Sequence, residues 1–196
     1  MTPRTIQTRR VTSETTVTLS LNLDGSGQST IQTGLPFYDH MLGALARHAR
    51  LDLDIHCVGD LHIDDHHTVE DVALTLGEAL AGVLGERRGV RRFGSAYAPL
   101  DEALARAVID LSGRPWAEID LGLRREQIGT VATENLGHAL RSLAIAAKMT
   151  LHVDVLRGEN DHHRAEAAFK AVALALRQAV ALDGHSDIPS TKGVLA

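Results

Sequence analysis

The segment Asp64-Asp65-His66-His67-Thr68-Val69-Glu70 has a near copy, Asn160-Asp161-His162-His163-Arg164-Ala165-Glu166, 96 residues further on. Both contain Asp-His-His-x-x-Glu. Other residues repeat with it. Glu14 and Gly25 match Glu102 and Gly113 at an offset of 88, and His40, Leu51, Leu53 and Ile55 match His138, Met149, Leu151 and Val153 at 98. The drift in offset marks loop insertions, which a fold tolerates. So long a period is not that of a solenoid. It predicts a duplicated half-domain, residues 1–94 and 95–196, joined in one compact unit with a pseudo-two-fold relation.

Hydrophobic patterning assigns elements within each copy. Val17, Leu19, Leu21 and Leu23 alternate with period two, the pattern of a half-buried strand. Asp24–Gly27 reads as a turn and Gln28–Thr33 as the returning strand of a hairpin. Pro36 opens a helix running to about Arg50, with Phe37, Met41, Leu42, Leu45 and Ala49 on one side. Leu51, Leu53 and Ile55 form a strand, and a helix spans His66–Leu84. The second copy reads as strand Ala103–Leu111, turn Ser112–Pro115, strand Trp116–Leu121, helix Thr133–Lys148, strand Met149–Val155 and helix His162–Leu182. Strand-strand-helix-strand-helix, twice, is an α+β fold with mixed sheets packed against helices.

Composition narrows the function. Twenty Lys and Arg against 25 Asp and Glu leave a charge of −5, so no basic surplus draws the chain to nucleic acid. Aromatic residues are 3%, too few for a base-stacking platform, and the core must be aliphatic. The single cysteine, Cys57, excludes an intrachain disulfide and a cysteine-based zinc cluster. No run nears the ~20 apolar residues of a membrane span, and the first ten residues carry no apolar signal core. A cytoplasmic protein is the expectation.

Eleven histidines are the unusual count. On a helix, His66 and Glu70 are i,i+4 neighbours and His67 and Glu70 are i,i+3 neighbours. Imidazole and carboxylate on one face suit a divalent metal. Adjacent histidines diverge by about 100°, so His66 and His67 serve different metals or different sides of one site. Asp64, Asp65 and Asp161 are candidate helix caps. The repeated motif, with His40 and His138 in support, presents nitrogen and oxygen donors only. That set accommodates Mn, Fe, Co, Ni or Zn, and favours octahedral Mn or Fe over structural Zn. His48, eight residues after His40, falls on a similar helix face and borders the site; His56, His62, His152 and His185 read as surface or outlying groups.

Cations mark a second function. Arg92, Arg114, Lys170 and Lys192 are individually ordinary, but Ser190-Thr191-Lys192-Gly193 combines hydroxyls, backbone N–H groups and an ammonium suited to phosphate. It is not a P-loop, because the spacing differs and no helix follows.

These residues together resemble the imidazoleglycerol-phosphate dehydratase family across essentially the whole chain. The marks are the two Asp-His-His-x-x-Glu segments, Arg10-x-Thr12-x-Glu14-Thr15, Phe37-Tyr38-Asp39-His40-Met41-Leu42, Asp110-Leu111-Ser112-Gly113-Arg114-Pro115, Phe169-Lys170-Ala171 and Ser190-Thr191-Lys192-Gly193-Val194-Leu195. The resemblance implies a fold like domain 2 of ribosomal protein S5. It also implies two manganese ions per active site, held by His40, His66, His67, Glu70, His138, His162, His163 and Glu166. Glu14 would lie by the glycerol hydroxyls of the substrate; Arg92, Arg114, Lys170, Ser190 and Lys192 would hold its phosphate. Thr191 of the same tail and His48 are further candidates for substrate binding. Assembly of twenty-four identical subunits with shared active sites is implied too. The chain departs from the family at Gly43-Ala44, often Asp-Gln, at Ala139-Leu140, often aromatic, and at Thr191, often Ser. None of these is a ligand position.

The implied reaction removes water from imidazole glycerol phosphate to give imidazole acetol phosphate. The proton lost sits on a carbon with no carbonyl beside it, beyond the reach of an ordinary carboxylate base. Metal on the ring nitrogens would favour imidazolate, which would expel the adjacent hydroxide and acidify the neighbouring C–H. Glu14 is the first candidate for proton transfer. Glu70 and Glu166 are ligands first and bases second, since a metal-held carboxylate is a weaker base. Two other readings compete. A binuclear phosphatase would need bridging carboxylates. A metal store or sensor leaves the phosphate-type residues unexplained.

Overall fold

The computed structural model describes residues 3–195. In chain order the elements are β1 (Thr5–Val11), β2 (Thr15–Asn22), β3 (Ser29–Gln32), α1 (Pro36–Ala49), β4 (Asp52–Gly59), α2 (His66–Leu84), β5 (Phe93–Leu100), β6 (Ala103–Asp110), β7 (Trp116–Asp120), β8 (Gln127–Ile128), β9 (Val131–Ala132), α3 (Thr133–Ala146), β10 (Thr150–Arg157) and α4 (Asp161–Ala179). The fold is α+β, with two mixed four-stranded sheets ordered β1-β2-β4-β3 and β5-β6-β10-β7.

The alternating residues behave as their period demands. Val17, Leu19 and Leu21 of β2 and Leu53 and Ile55 of β4 are buried, and the five helix-face residues named for α1 are buried as well. The strand pairing differs from the sequence reading in two ways. β2 and β3 do not form a hairpin, nor do β6 and β7. β4 inserts between β2 and β3, antiparallel to the first and parallel to the second, and β10 inserts likewise between β6 and β7. In the first sheet the connecting loop is held by Asp52 of the inserted strand. Its Oδ1 accepts from the backbone N–H groups of Ser26, Gly27 and Gln28 at 2.8–3.1 Å, so the loop arches over the end of β4 instead of turning tightly.

Each sheet also has an edge strand that patterning missed. β1 carries only Ile6 and Val11 as large apolar residues, and its backbone pairs with β2 over seven positions. β5 inverts the usual rule, with Gly94 and Ala98 buried while Phe93 and Tyr97 are exposed. The reason is α4, whose Ala167, Ala168, Ala171 and Ala175 are buried where the helix packs closely on this sheet. A Cβ on Gly94 would strike the carbonyl oxygen of Ala175. Phe93 begins β5, the first strand of the second sheet.

The helices fill the space between the sheets. α1 and α2 pack on the first sheet and α3 and α4 on the second, while α1 pairs with α4 and α2 with α3. The α2–α3 crossing is close: a Cβ on Gly77 would lie 2.6 Å from the Leu143 carbonyl oxygen. Both helix pairs therefore bring the first half of the chain against the second, and the histidine motifs sit on these pairs.

Candidate active site

The paired helices gather six of the predicted ligands into two groups. α1 and α4 bring together His40, His162 and Glu166; α2 and α3 bring together His66, Glu70 and His138. Within each group one donor atom per residue lies within 4.8 Å of the others. Each group draws on both halves of the chain, which motif spacing could not show. Glu166 Oε2 lies 3.0 Å from His40 Nε2 and 3.2 Å from His162 Nε2. Glu70 Oε1 lies 2.9 Å from His138 Nε2, and the His66 and His138 rings stack with centroids 4.7 Å apart.

Local contacts set these side chains. Asp64 accepts from the His66 backbone N–H at 2.8 Å, and Asn160 accepts from that of His162 at 2.9 Å. Asp65 and Asp161, also candidate caps, serve elsewhere. Asp65 accepts from the N–H of Ala132, tying the start of α2 to that of α3. Asp161 accepts from the N–H groups of Arg124 and Arg125. Asn135 Oδ1 lies 3.0 Å from His66 Nδ1. At the equivalent position Phe37 packs on the His162 ring, centroid to centroid 5.1 Å. The two groups thus share donors but differ in polarity of support. Neither Asn135 nor Phe37 was legible as a site residue, because each reads simply as a helix position.

His67 and His163 join neither group. Their rings stand nearly perpendicular to those of His66 and His162, at centroid distances of 6.0 and 6.1 Å. His67 Nδ1 lies 3.0 Å from Asp60 Oδ2, and its Nε2 lies 3.7 Å from Glu14 Oε1. His163 Nδ1 lies 2.7 Å from Glu102 Oε2. Those carboxylate contacts hold both histidines above the usual imidazole range. Glu102, accepting from the N–H of Asn160, from His163 and from the N–H of Glu159, is pulled down to about 2.

The proposed phosphate residues occupy several surroundings. Burial pushes the Glu166 carboxyl up, but Lys170, with Nζ 2.6 Å from Oε1, and His40 overcome this and bring it to about 2. His48 lies in the same field; burial and then the Lys170 ammonium hold it below its ordinary value. Arg92 is committed to structure: Nε and Nη2 donate to Asp110 at 2.7 and 3.1 Å, and Nη1 donates to the Pro189 carbonyl at 2.8 Å. It therefore anchors the tail in which Ser190, Thr191 and Lys192 follow. Ser190 Oγ accepts from the Lys192 N–H at 3.2 Å, leaving Lys192 exposed. Arg114 is exposed in the turn after β6. Glu14 is exposed beside His67 and in neither three-residue group.

The donor set suits a divalent metal in each group. Two imidazole nitrogens and one carboxylate oxygen converge, with no thiolate, and three donors leave coordination positions open. The two carboxylates belong to separate groups, unlike the bridging carboxylates of a binuclear phosphatase.

Comparison with known proteins places the chain among its relatives. Residues 33–176 match the family model described as imidazoleglycerol-phosphate dehydratase. The imidazoleglycerol-phosphate dehydratase of Eremothecium gossypii is 54% identical over 210 residues, covering 95% of this chain and 96% of that protein. The one from Maudiozyma humilis is 50% identical over 225 residues, covering all of both chains. Among solved structures, the Staphylococcus aureus dehydratase superposes with a TM-score of 0.82 at 36% identity, covering 91% of this chain and 99% of that one. The Pyrococcus furiosus structure gives the same TM-score and identity, covering 96% of this chain and 100% of that one. No helix among the described residues is long and apolar enough to cross a membrane. The chain belongs to the imidazoleglycerol-phosphate dehydratase family, and is a hydro-lyase.

Proposed function

We propose that this chain dehydrates imidazole glycerol phosphate to imidazole acetol phosphate in histidine biosynthesis, in the cytoplasm, with two manganese ions per active site. The observation that carries the reading is the pair of His-His-Glu groups, each three donors strong, with a further histidine held just outside each. His40, His162 and Glu166 would hold one ion, and His66, Glu70 and His138 the other. An ion held there would supply Lewis acidity, which lowers the pKa of a nitrogen ligand.

The protein's own groups do the rest. His67 and His163 face outward from the groups of their own chain, so they would complete those of neighbouring subunits. That makes the active site a shared one and assembly, twenty-four subunits by family likeness, a condition of activity. Residues 1–94 and 95–196 act as duplicated half-domains, each lending helices to both groups. Glu14, exposed and free of either group, moves the proton at the hydroxyl-bearing carbons. Arg114, Lys170, Ser190, Thr191 and Lys192 hold the phosphate, with His48 alongside, and Arg92 both fixes the tail and lends charge. Fixing the phosphate orients the ring, converting substrate binding into alignment.

The test is turnover by metal-stripped and manganese-restored protein on imidazole glycerol phosphate, with product mass as readout. Restored activity in a large assembly is expected. A manganese-loaded assembly that forms no imidazole acetol phosphate would overturn the reading.

A further inference from the structure

The two outlying histidines are each gripped from behind, by carboxylates that are not equivalent in the repeat. Glu14 and Glu102 are counterparts, at an offset of 88. Yet they do different things. Glu102 Oε2 takes the Nδ1 of His163 at 2.7 Å, while its Oε1 accepts from the N–H groups of Glu159 and Asn160 at 3.0 and 2.8 Å. Glu102 is thereby fixed by the same loop that starts α4. In the first half, Nδ1 of His67 is taken instead by Asp60, at 3.0 and 3.2 Å to its two oxygens, from the loop before α2. Glu14 is left beside Nε2 of His67 at 3.7 Å, beyond hydrogen-bond distance.

An ionised carboxylate only accepts, so each contact places the proton on Nδ1 and leaves the Nε2 lone pair facing outward. A metal-binding histidine is typically oriented in this way by a carboxylate on its other nitrogen. Resting on the metal reading above, we propose that Asp60 and Glu102 are positioning residues that fix His67 and His163 as Nδ1–H tautomers with Nε2 presented to the metal of a neighbouring subunit. The duplication has thus diverged: Asp60 took over the orienting task in the first half, and Glu14, relieved of it, is the member of the Glu14–Glu102 pair available for chemistry.

The experiment measures manganese affinity of the full chain by equilibrium dialysis, together with native mass and the melting temperature of the metal-free protein. Glu102→Ala and Asp60→Ala should each weaken manganese binding about 10- to 100-fold. Asp60→Asn should weaken it less, because its amide oxygen still accepts from Nδ1–H. Glu14→Gln should leave affinity at the wild-type value. Glu102 also caps backbone N–H groups, so its variant can lose stability; the Asp60 carboxylate accepts from no backbone N–H among the described residues, and its two variants carry the test if Glu102→Ala does not fold. Wild-type affinity in Asp60→Ala, or equal losses in Asp60→Ala and Glu14→Gln, would overturn the inference alone. Wild-type protein that takes up no manganese would overturn the metal reading and this inference with it.

Discussion

Replacing Glu166 with Gln and Glu14 with Gln should separate ligand from catalyst. Glu166 is the busiest acid in the α1–α4 group: Lys170 Nζ sits 2.6 Å from one oxygen, and His40 and His162 sit 3.0 and 3.2 Å from the other. Glutamine keeps the shape but removes the charge. A charge-assisted contact is worth about 1.5–3 kcal/mol, and about 1.4 kcal/mol is a factor of ten. Manganese at this group should therefore bind about ten- to a hundredfold more weakly in Glu166→Gln, and assembly should weaken with it. Glu14 belongs to neither group, so Glu14→Gln should hold manganese and assemble normally. Its turnover should fall by about 10²–10⁴, the usual worth of a positioned acid or base. The assay is manganese content after dialysis, light scattering for mass, and product formation at saturating substrate. Wild-type kcat in Glu14→Gln, or metal loss matching that of Glu166→Gln, would refute the assignment.

Three other outcomes are expected. Arg114→Ala and Lys192→Ala should each lower kcat/KM by about ten- to a hundredfold, mainly through KM and with metal content unchanged; unaltered kinetics in both would remove them from the site. Arg92→Ala should free the tail after Pro189, seen as faster proteolysis near Ser190 alongside a higher KM; a tail as resistant as wild type would show that the Pro189 contact does not anchor it. The backbone N–H groups of Ser26 and Gln28, then the side-chain amide of Asn22 and the backbone N–H of Gly27, hold the Asp52 carboxyl below its usual value. Its stabilising effect is present above an unfolded pKa of about 3.9 and is lost as pH falls through the lower folded value. Urea melts should show wild type more stable than Asp52→Asn at neutral pH, with the gap closing below about pH 4; a constant gap would contradict this.

Periodicity and repetition carried much of this protein. Apolar spacing located all four helices to within a few residues, because a helix between two sheets must bury a continuous stripe. Motif repetition singled out His66, Glu70, His162 and Glu166 of the two candidate groups, because an i,i+4 His-Glu pair is a local arrangement that the helix alone enforces, and the matching offset of His40 and His138 singled out the other two. Strand partners were not legible. A period-two pattern says which face of a strand is buried and nothing about its neighbour, so β4 and β10 slipping into the presumed hairpins left no trace in residues 17–33 or 103–121. The edge strands escaped too, since β1 gains its hydrogen bonds from β2 rather than from its own apolar face, and β5 buries glycine and alanine under a close helix.

Which histidine meets which glutamate is a long-range matter. His40 and Glu166 are 126 positions apart, and only the packing of α1 on α4 makes them neighbours. The roles of equivalent residues are likewise set by surroundings. Glu14 and Glu102 are the same residue at matching places in the repeat. One is bound by two backbone N–H groups and the Nδ1 of its histidine, whereas the other stands beside a histidine whose Nδ1 is held by Asp60. Local chemistry is written in the order of residues, whereas the choice among chemically equal partners belongs to the folded chain, where distance in space replaces distance in sequence.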